Sequence, residues 1–260
     1  MSNAFNYEQI KELLDQKVRL YNSTSFIPTD PISIPHIFSK KQDIEISGFL
    51  SATIAWGQRK TIMNNARKLM LMMDDDPFNF ILHANEKEYK PFQKFVHRTF
   101  NGEDCIYFLK ALKHIYTKYN SLEMAFNIGL QPKDKNIKNA ISGFRNVFFE
   151  VNHPSRTKKH ISNPAEKSSA KRLCMYLRWM VRKDKCGVDF GIWNSIKPSQ
   201  LCLPLDVHTG NVARKLGLIQ RKQNDWQTVE EITNVLRNFD KKDPIKYDFA
   251  LFGLGAFDRF

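Results

Sequence analysis

Apolar residues recur along most of the chain at the spacing of buried helix faces. Residues 7–21 place Ile10, Leu14 and Val18 at intervals of four, and a second, more apolar helix is predicted over 43–56. Similar patterns predict helices over 64–73, 77–84, 103–118, 121–128, 136–149, 226–238 and from 244 onward. Alternating runs typical of strands are few, and neither internal repeats nor low-complexity tracts occur. The sequence therefore predicts an all-α fold.

Two stretches interrupt the helical pattern. Residues 23–36 carry three prolines and are predicted to be an extended connector. Residues 151–169 are polar, basic and short of large apolar groups, which indicates a loop. Near its end, Asn163 and Pro164 fit an N-cap followed by a first-turn proline, so a helix is predicted from there to about Arg182.

The segment "LPLDVHTGNVARKLGL", residues 203–218, contains both ends of a predicted helix. Asp206 precedes the apolar pattern and is a preferred N-cap residue, worth about 1 kcal/mol over alanine. Gly217 fits the position just beyond the last turn. Capping explains Asp206 fully, yet an N-cap carboxylate has a second oxygen that can face a substrate.

The charge of the chain restricts the classes of partner. The 260 residues carry a net charge of +13, which favours polyanions, and nucleic acid is the commonest of these, with acidic membrane surface second. The length allows one domain or two lobes. No apolar stretch is long enough to span a membrane and the N-terminus lacks a secretory pattern, so we expect a cytoplasmic protein with no membrane partner.

Several kinds of site are unsupported by the sequence. The cysteines at 105, 174, 186 and 202 are too scattered for a zinc or iron–sulfur site, and buried free thiols are the simpler interpretation. The motifs of nucleotide hydrolysis, dinucleotide binding, zinc proteolysis and common serine hydrolases are absent from the sequence. We therefore expect no metal and no cofactor.

Basic residues are grouped in ways that suit a phosphate backbone. Lys171, Arg178 and Arg182 share one face of the predicted helix, which could equally be a solvated face. The candidate nucleic-acid contacts are Gln58, Arg59, Lys60, Lys158, Lys159, Arg178, Arg182 and His208. Trp56 could stack on a base, although a tryptophan at the end of an apolar helix is more often part of the core.

Four segments resemble the helix–hairpin–helix DNA glycosylases. The stretch around Asp206 is similar to the run that carries the catalytic aspartate of that superfamily and leads into a helix ending Arg-x-Leu-Gly. Residues 48–70 resemble its early helix pair, 95–126 the helices that follow, and 247–255 its closing helix. The whole chain also resembles an uncharacterised bacterial family with the motifs "KRLxMxLRWMVR" and "PLDVHTGxVAR".

One feature of most such glycosylases is missing. They carry a hairpin of the type Leu-Pro-Gly-x-Gly shortly before the aspartate, with the catalytic lysine just after it, and residues 184–202 contain no such hairpin. The archaeal 8-oxoguanine glycosylases look closer, because their lysine begins an apolar helix farther ahead of the aspartate. Lys171 stands 35 residues before Asp206 and is the position that matches, with Lys167 as the alternative.

The resemblance implies a fold and a reaction. It predicts a central lobe over 43–182, a second lobe formed by 1–42 with 195–260, a connector over 183–194, and a cleft between the lobes. Asp206 would stabilise positive charge at the sugar of a damaged purine nucleotide, and a neutral Lys171 would attack C1′ to give a Schiff base that permits strand cleavage. If Lys171 points elsewhere, an Asp-activated water would give simple base removal.

A second function is compatible with the same residues. A non-catalytic DNA-binding or RNA-binding module of this fold would show salt-dependent affinity without turnover, and Asp206→Asn would leave its binding unchanged. The sequence carries no signal for the base recognised or for an oligomeric state.

Overall fold

Helices account for the regular structure of the protein. A computed structural model describes residues 6–258 and 260, and within these residues the only bridges of β type are His97–Phe100 and Ser168–Asp225. The α-helices are α1 (Tyr7–Tyr21), α2 (Lys41–Thr53), α3 (Arg59–Leu71), α4 (Pro77–His83), α5 (Glu86–Tyr89), α6 (Gly102–Tyr119), α7 (Leu122–Asn127), α8 (Lys138–Phe148), α9 (Lys171–Val181), α10 (Val207–Lys215), α11 (Trp226–Phe239) and α12 (Tyr247–Ala256). The prediction of an all-α fold is confirmed.

The chain divides into two compact units. The terminal unit comprises Met1–Phe26, Asp134–Ile137 and Asn163–Phe260, and the central unit comprises Ile27–Lys133 and Lys138–Ser162. The division differs from the predicted lobes, because α9 and residues 183–194 belong to the terminal unit. Residues 27–42 belong to the central unit.

The central unit is built around α2. From Asp43 to Thr53 every residue of this helix is buried, so the helix has no solvated face and is a core element. Phe49 packs its ring against the rings of Phe108 and Phe148, with centroids 5.9 and 5.7 Å apart. The buried Glu45 accepts a hydrogen bond of 2.7 Å from the hydroxyl of Tyr116, which satisfies a carboxylate in an apolar position.

The terminal unit is organised by α12, which packs against both α1 and α10. Two glycines of α12 allow this approach. A Cβ at Gly253 would lie 2.1 Å from the ring of Tyr21 on α1, and one at Gly255 would lie 3.1 Å from both His208 and Val212 on α10. The α10 helix is therefore held close to the closing helix of the chain.

Two predictions are wrong: the extended connector over residues 23–36 and the start of the helix before Arg182. Residues 23–36 are a series of 3₁₀ turns, Thr24–Thr29, Pro31–Ser33 and Pro35–Ile37, because the fixed φ of proline also suits the first position of a helical turn. The cap at Asn163 is present, but it starts only the 3₁₀ turn Pro164–Glu166. The α-helix begins later, at Lys171.

Candidate active site

Lys171 and Asp206 lie side by side in the terminal unit. Lys171 is the first residue of α9 and Asp206 is the N-cap of α10. The Lys171 Nζ atom is 4.0 Å from Asp206 Oδ2, and the two side chains are 27% and 24% exposed. An amine and a carboxylate that the sequence separates by 35 residues are thus paired at a position that solvent reaches.

Asp206 uses its two carboxylate oxygens differently. Oδ1 accepts hydrogen bonds from the backbone N–H and the hydroxyl of Thr209, at 3.0 and 3.1 Å, as an N-cap does. Oδ2 faces Lys171. The side-chain amide of Asn224 donates to the Asp206 backbone carbonyl at 3.1 Å and holds this turn from the other side. Capping and pairing with an amine therefore coexist in this residue.

The loop before α9 presents Lys171 in a constrained conformation. Ala170 has a φ of 47° and Lys167 a φ of 67°, a left-handed region that costs a non-glycine residue roughly 1–2 kcal/mol. The loop is held in place by α11, because Trp226 N–H donates to the carbonyl of Lys167 at 3.0 Å. The side chain of Lys167 is exposed, and no ion pair found among residues 6–258 joins it to Asp206.

A second carboxylate, Asp248 of α12, belongs to the same electrostatic environment. It is only 5% exposed and accepts a hydrogen bond from the guanidinium of Arg178 on α9. Burial raises the pKa of Asp248 to about 6, the negative charge of Asp206 adds to that rise, and the positive charges of Arg178 and Lys171 oppose it. The partly exposed carboxylate of Asp206 therefore interacts with the buried carboxylate of Asp248, which holds its proton more tightly than an ordinary aspartate does.

Asp248→Asn is expected to change how stability depends on pH. Because the folded-state pKa of Asp248 is raised, its stabilising contribution is complete below pH 4 and is lost as pH rises through about 6. The variant lacks this loss. Its free energy of unfolding relative to wild type should therefore increase from about pH 4 to about pH 7, by on the order of 2 kcal/mol. Urea denaturation at a series of pH values measures the free energy of unfolding of both proteins. If the value for the variant minus that for wild type stays constant or falls as pH rises, the raised pKa of Asp248 is contradicted.

Arg178 and Arg182 do not lie on an exposed basic face. They are 4% and 2% exposed, and Asp189 accepts from both of them, at 3.2 and 3.0 Å. Arg182 also pairs with Asp184 at 2.7 Å and Asp243 at 2.9 Å. The prediction that these two arginines contact nucleic acid is corrected accordingly, because carboxylates from the same unit occupy their guanidinium groups.

The remaining predicted contacts are divided between the units. His208 is exposed in the first turn of α10, next to Asp206. The central unit contains Gln58, Arg59, Lys60, Lys158 and Lys159, of which Arg59 is half-buried and the others are exposed. Trp56 is half-buried and contacts the rings of His97 and His160.

Sequence reasoning missed Asp248 and Asp189. Asp248 is the one acid in the apolar segment "YDFALFGLG", and an acid in such a position is almost always paired. That signal could have indicated a buried partner, although it does not say which arginine. Of the cysteines, Cys105, Cys174 and Cys202 are buried as expected, whereas Cys186 is exposed.

The described part of the chain has neither a cluster of metal-ligating side chains nor a helix suited to crossing a membrane. Residues 6–258 and 260 contain no group of three or more His, Cys, Asp or Glu side chains arranged to hold a metal ion. In the same residues, no helix combines the length and apolar character that a membrane crossing requires.

The comparisons with known proteins define a family. The fold and the site together define a class of protein. It is an all-helical protein in which a lysine and an aspartate, each at the N-terminus of a helix, form a pair. Residues 30–257 match the family described as "Protein of unknown function (DUF2400)", and the chain belongs to that family. This agrees with the resemblance to an uncharacterised family, and it lends no support to the glycosylase resemblance. Neither the curated proteins nor the solved structures contain a match to this chain.

Proposed function

We propose that this protein binds DNA in the cytoplasm and removes a damaged purine base by cleaving its N-glycosidic bond. The observation that carries the proposal is the contact between Lys171 Nζ and Asp206 Oδ2, 4.0 Å apart and partly exposed. The resemblance of residues 203–218 to the aspartate segment of helix–hairpin–helix glycosylases supports it, as does the net charge of +13.

The pair supplies the two groups that base removal requires. Breaking the N-glycosidic bond builds positive charge on the sugar, and the carboxylate of Asp206 stabilises that charge electrostatically. Lys171 first loses a proton to solvent, so that Asp206 keeps its negative charge, and the free electron pair of the Lys171 amine then forms a bond to C1′. The base leaves with the electrons of the broken bond and takes up a proton. The amine bound to C1′ then loses a proton and its electron pair breaks the bond between C1′ and O4′. O4′ takes up a proton, and the opened sugar is the Schiff base from which strand cleavage follows.

Access to the sugar has an energetic requirement of its own. The target nucleotide must leave the base stack, which costs a few kcal/mol and is easiest for a damaged base. Contacts to the phosphate backbone offset that cost. His208, exposed beside Asp206, is a candidate contact near the pair. Gln58, Arg59, Lys60, Lys158 and Lys159 are candidate contacts on the central unit.

The alternative function is a DNA-binding or RNA-binding module that does no chemistry. The specific observation in its favour is the hydrogen bonding of Asp206, whose Oδ1 caps α10 and explains the residue without a reaction. Such a module would bind nucleic acid with strong salt dependence and release no base.

Release of free base from a panel of DNA duplexes distinguishes the two functions. The duplexes carry oxidised, alkylated or deaminated purines, and mass spectrometry detects the released base. We expect release from at least one lesion by wild type and a loss of about 10²–10³-fold in Asp206→Asn, with DNA affinity unchanged. Asparagine caps helices as well as aspartate, so this variant removes the charge and keeps the cap. DNA binding without release from any duplex would establish the non-catalytic module.

A further inference from the structure

A short turn in the central unit brings an arginine to the surface beside the predicted contacts. His97 and Phe100 bond to each other through both of their backbone N–H groups, at 2.8 and 3.0 Å. Arg98 and Thr99 form the exposed tip, and Arg98 adopts a left-handed φ of 54°. The sequence pattern "VHRTF" did not mark this turn as functional, since its arginine stands alone.

The turn is attached to the segment between α2 and α3. His97 Nε2–H donates to the backbone carbonyl of Trp56 at 3.1 Å, and its Nδ1 accepts from the amide of Asn65 at 2.8 Å. The side chain of Arg98 lies over Gly57, where a Cβ would come within 3.0 Å of Arg98 Nη1. Gly57 also has a φ of 104°, so a side chain is disfavoured at this position for two reasons.

A third segment is attached to the same place through a buried acid. Asp104 is fully buried and accepts hydrogen bonds from Arg156 at 2.7 Å, Thr157 at 2.7 Å and His160 at 3.1 Å. The ring of His160 stacks on Trp56, with centroids 6.0 Å apart and planes at 23°. Lys158 and Lys159, between these anchored residues, are exposed.

The three segments together present a cluster of cations. Lys60, Arg98, Lys158 and Lys159 are exposed, and none of them forms an ion pair with any carboxylate that the structure describes. The exposed acid Glu103 lies 3.8 Å from Arg156, which is already held by Asp104. Hydrogen bonds and ring contacts fix the backbone beneath these cations, which lowers the entropic cost of matching a regular array of phosphates.

We propose that Lys60, Arg98, Lys158 and Lys159 form one basic surface that binds the phosphodiester backbone of duplex nucleic acid. Binding at this surface is independent of base sequence and of damage, because the cations carry no directional pattern for reading base edges. The inference rests on the nucleic-acid binding of the proposed function and deepens it, because it adds Arg98 and assigns the cations to one surface; it requires neither a lesion nor chemistry at Lys171.

The test compares two variants with the same net charge. One replaces the four residues of the basic surface by glutamine, and the control replaces the exposed lysines Lys87, Lys133, Lys241 and Lys242 by glutamine. Fluorescence anisotropy measures affinity for an undamaged DNA duplex, and for an RNA duplex of equal length, over a range of salt concentrations. Because the probes are undamaged, the result does not depend on whether the protein removes bases.

The basic-surface variant should lose at least about tenfold in affinity at low salt. The salt dependence should become less steep by about 0.9 in log–log slope for each phosphate contact removed, whereas the control should stay near wild type. Comparing the two duplexes shows whether the backbone is that of DNA or RNA. Equal losses in the two variants, or no loss in either, would overturn the proposal, because only the total charge would then matter.

Gly57→Ala tests the arrangement separately from the charge. The added Cβ meets the side chain of Arg98, so this variant should displace the arginine and weaken DNA binding several-fold while every cation is retained. Arg98→Gln alone should weaken binding by a similar factor, and it cannot strain the backbone of residue 57. If Arg98→Gln binds like wild type, the arginine is not part of the surface and the proposal fails.

Discussion

Lys171→Gln is expected to abolish the covalent adduct that borohydride traps between the protein and lesion-bearing DNA. The Schiff base requires a primary amine at the sugar, and glutamine has none. Lys171 is partly exposed and its backbone begins α9, so the substitution should leave the fold intact. Gel analysis of the trapped complex, with a thermal melt of the variant, measures both effects. The adduct is expected with the lesion that gives base release.

Lys167→Gln is the matched control for this experiment. Lys167 lies four residues earlier in the same loop, is exposed, and was the alternative nucleophile. The variant removes the same charge and should keep the adduct. Trapping that survives in Lys171→Gln and disappears in Lys167→Gln would move the nucleophile to the loop. Base release by wild type with no adduct at all would indicate attack by water activated by Asp206.

Arg182→Ala is expected to reduce the free energy of unfolding by about 3–5 kcal/mol. The guanidinium of Arg182 is 2% exposed and contacts Asp184, Asp189 and Asp243. Its removal takes this cation away from Asp184 and Asp243 and leaves Asp189 with Arg178 alone. Urea denaturation followed by tryptophan fluorescence measures the loss, because Trp179, Trp193 and Trp226 belong to the terminal unit that Arg182 stabilises.

Arg98→Ala provides the comparison for Arg182→Ala. Arg98 is exposed, so its substitution should change the free energy of unfolding by no more than about 0.5 kcal/mol. If Arg182→Ala instead kept full stability and lost DNA affinity, the arginine would act at a nucleic-acid surface as its place in the sequence suggested. Arg182 is therefore expected to stabilise the fold, whereas Arg98, for which the sequence pattern predicted no role, is expected to contact nucleic acid.

Both ends of α10 could be predicted because their geometry is local. Asp206 caps the helix through Thr209, and Gly217 takes a φ of 71° just beyond the last turn. The N–H groups of Gly217 and Leu218 return to the carbonyls of Arg214 and Ala213, at 3.0 and 2.9 Å, which is the Schellman arrangement. All of these partners lie within six residues in sequence, so the residue types specify the structure.

The start of α9 could not be predicted in the same way. The cap at Asn163 forms, yet the chain leaves the helical conformation at Lys167 and enters α9 only after Ala170. A contact from Trp226, far along the chain, holds the loop in that conformation. The local pattern of an N-cap followed by proline predicts that a helix starts at Pro164. The distant contact from Trp226 holds the loop in another conformation, so α9 starts later.

The amino-acid sequence determined that this chain is helical and that α10 is capped by Asp206. Periodicity, capping preferences and resemblance to known motifs all depend on residues near one another in the chain. Tertiary structure alone decided that Arg178 and Arg182 are buried, that Asp248 lies near the Lys171–Asp206 pair, and that Arg98 is held over Gly57. Each of these depends on an ion pair or contact between segments distant in sequence, and a charged residue has the same appearance in the sequence whether a carboxylate or water surrounds it.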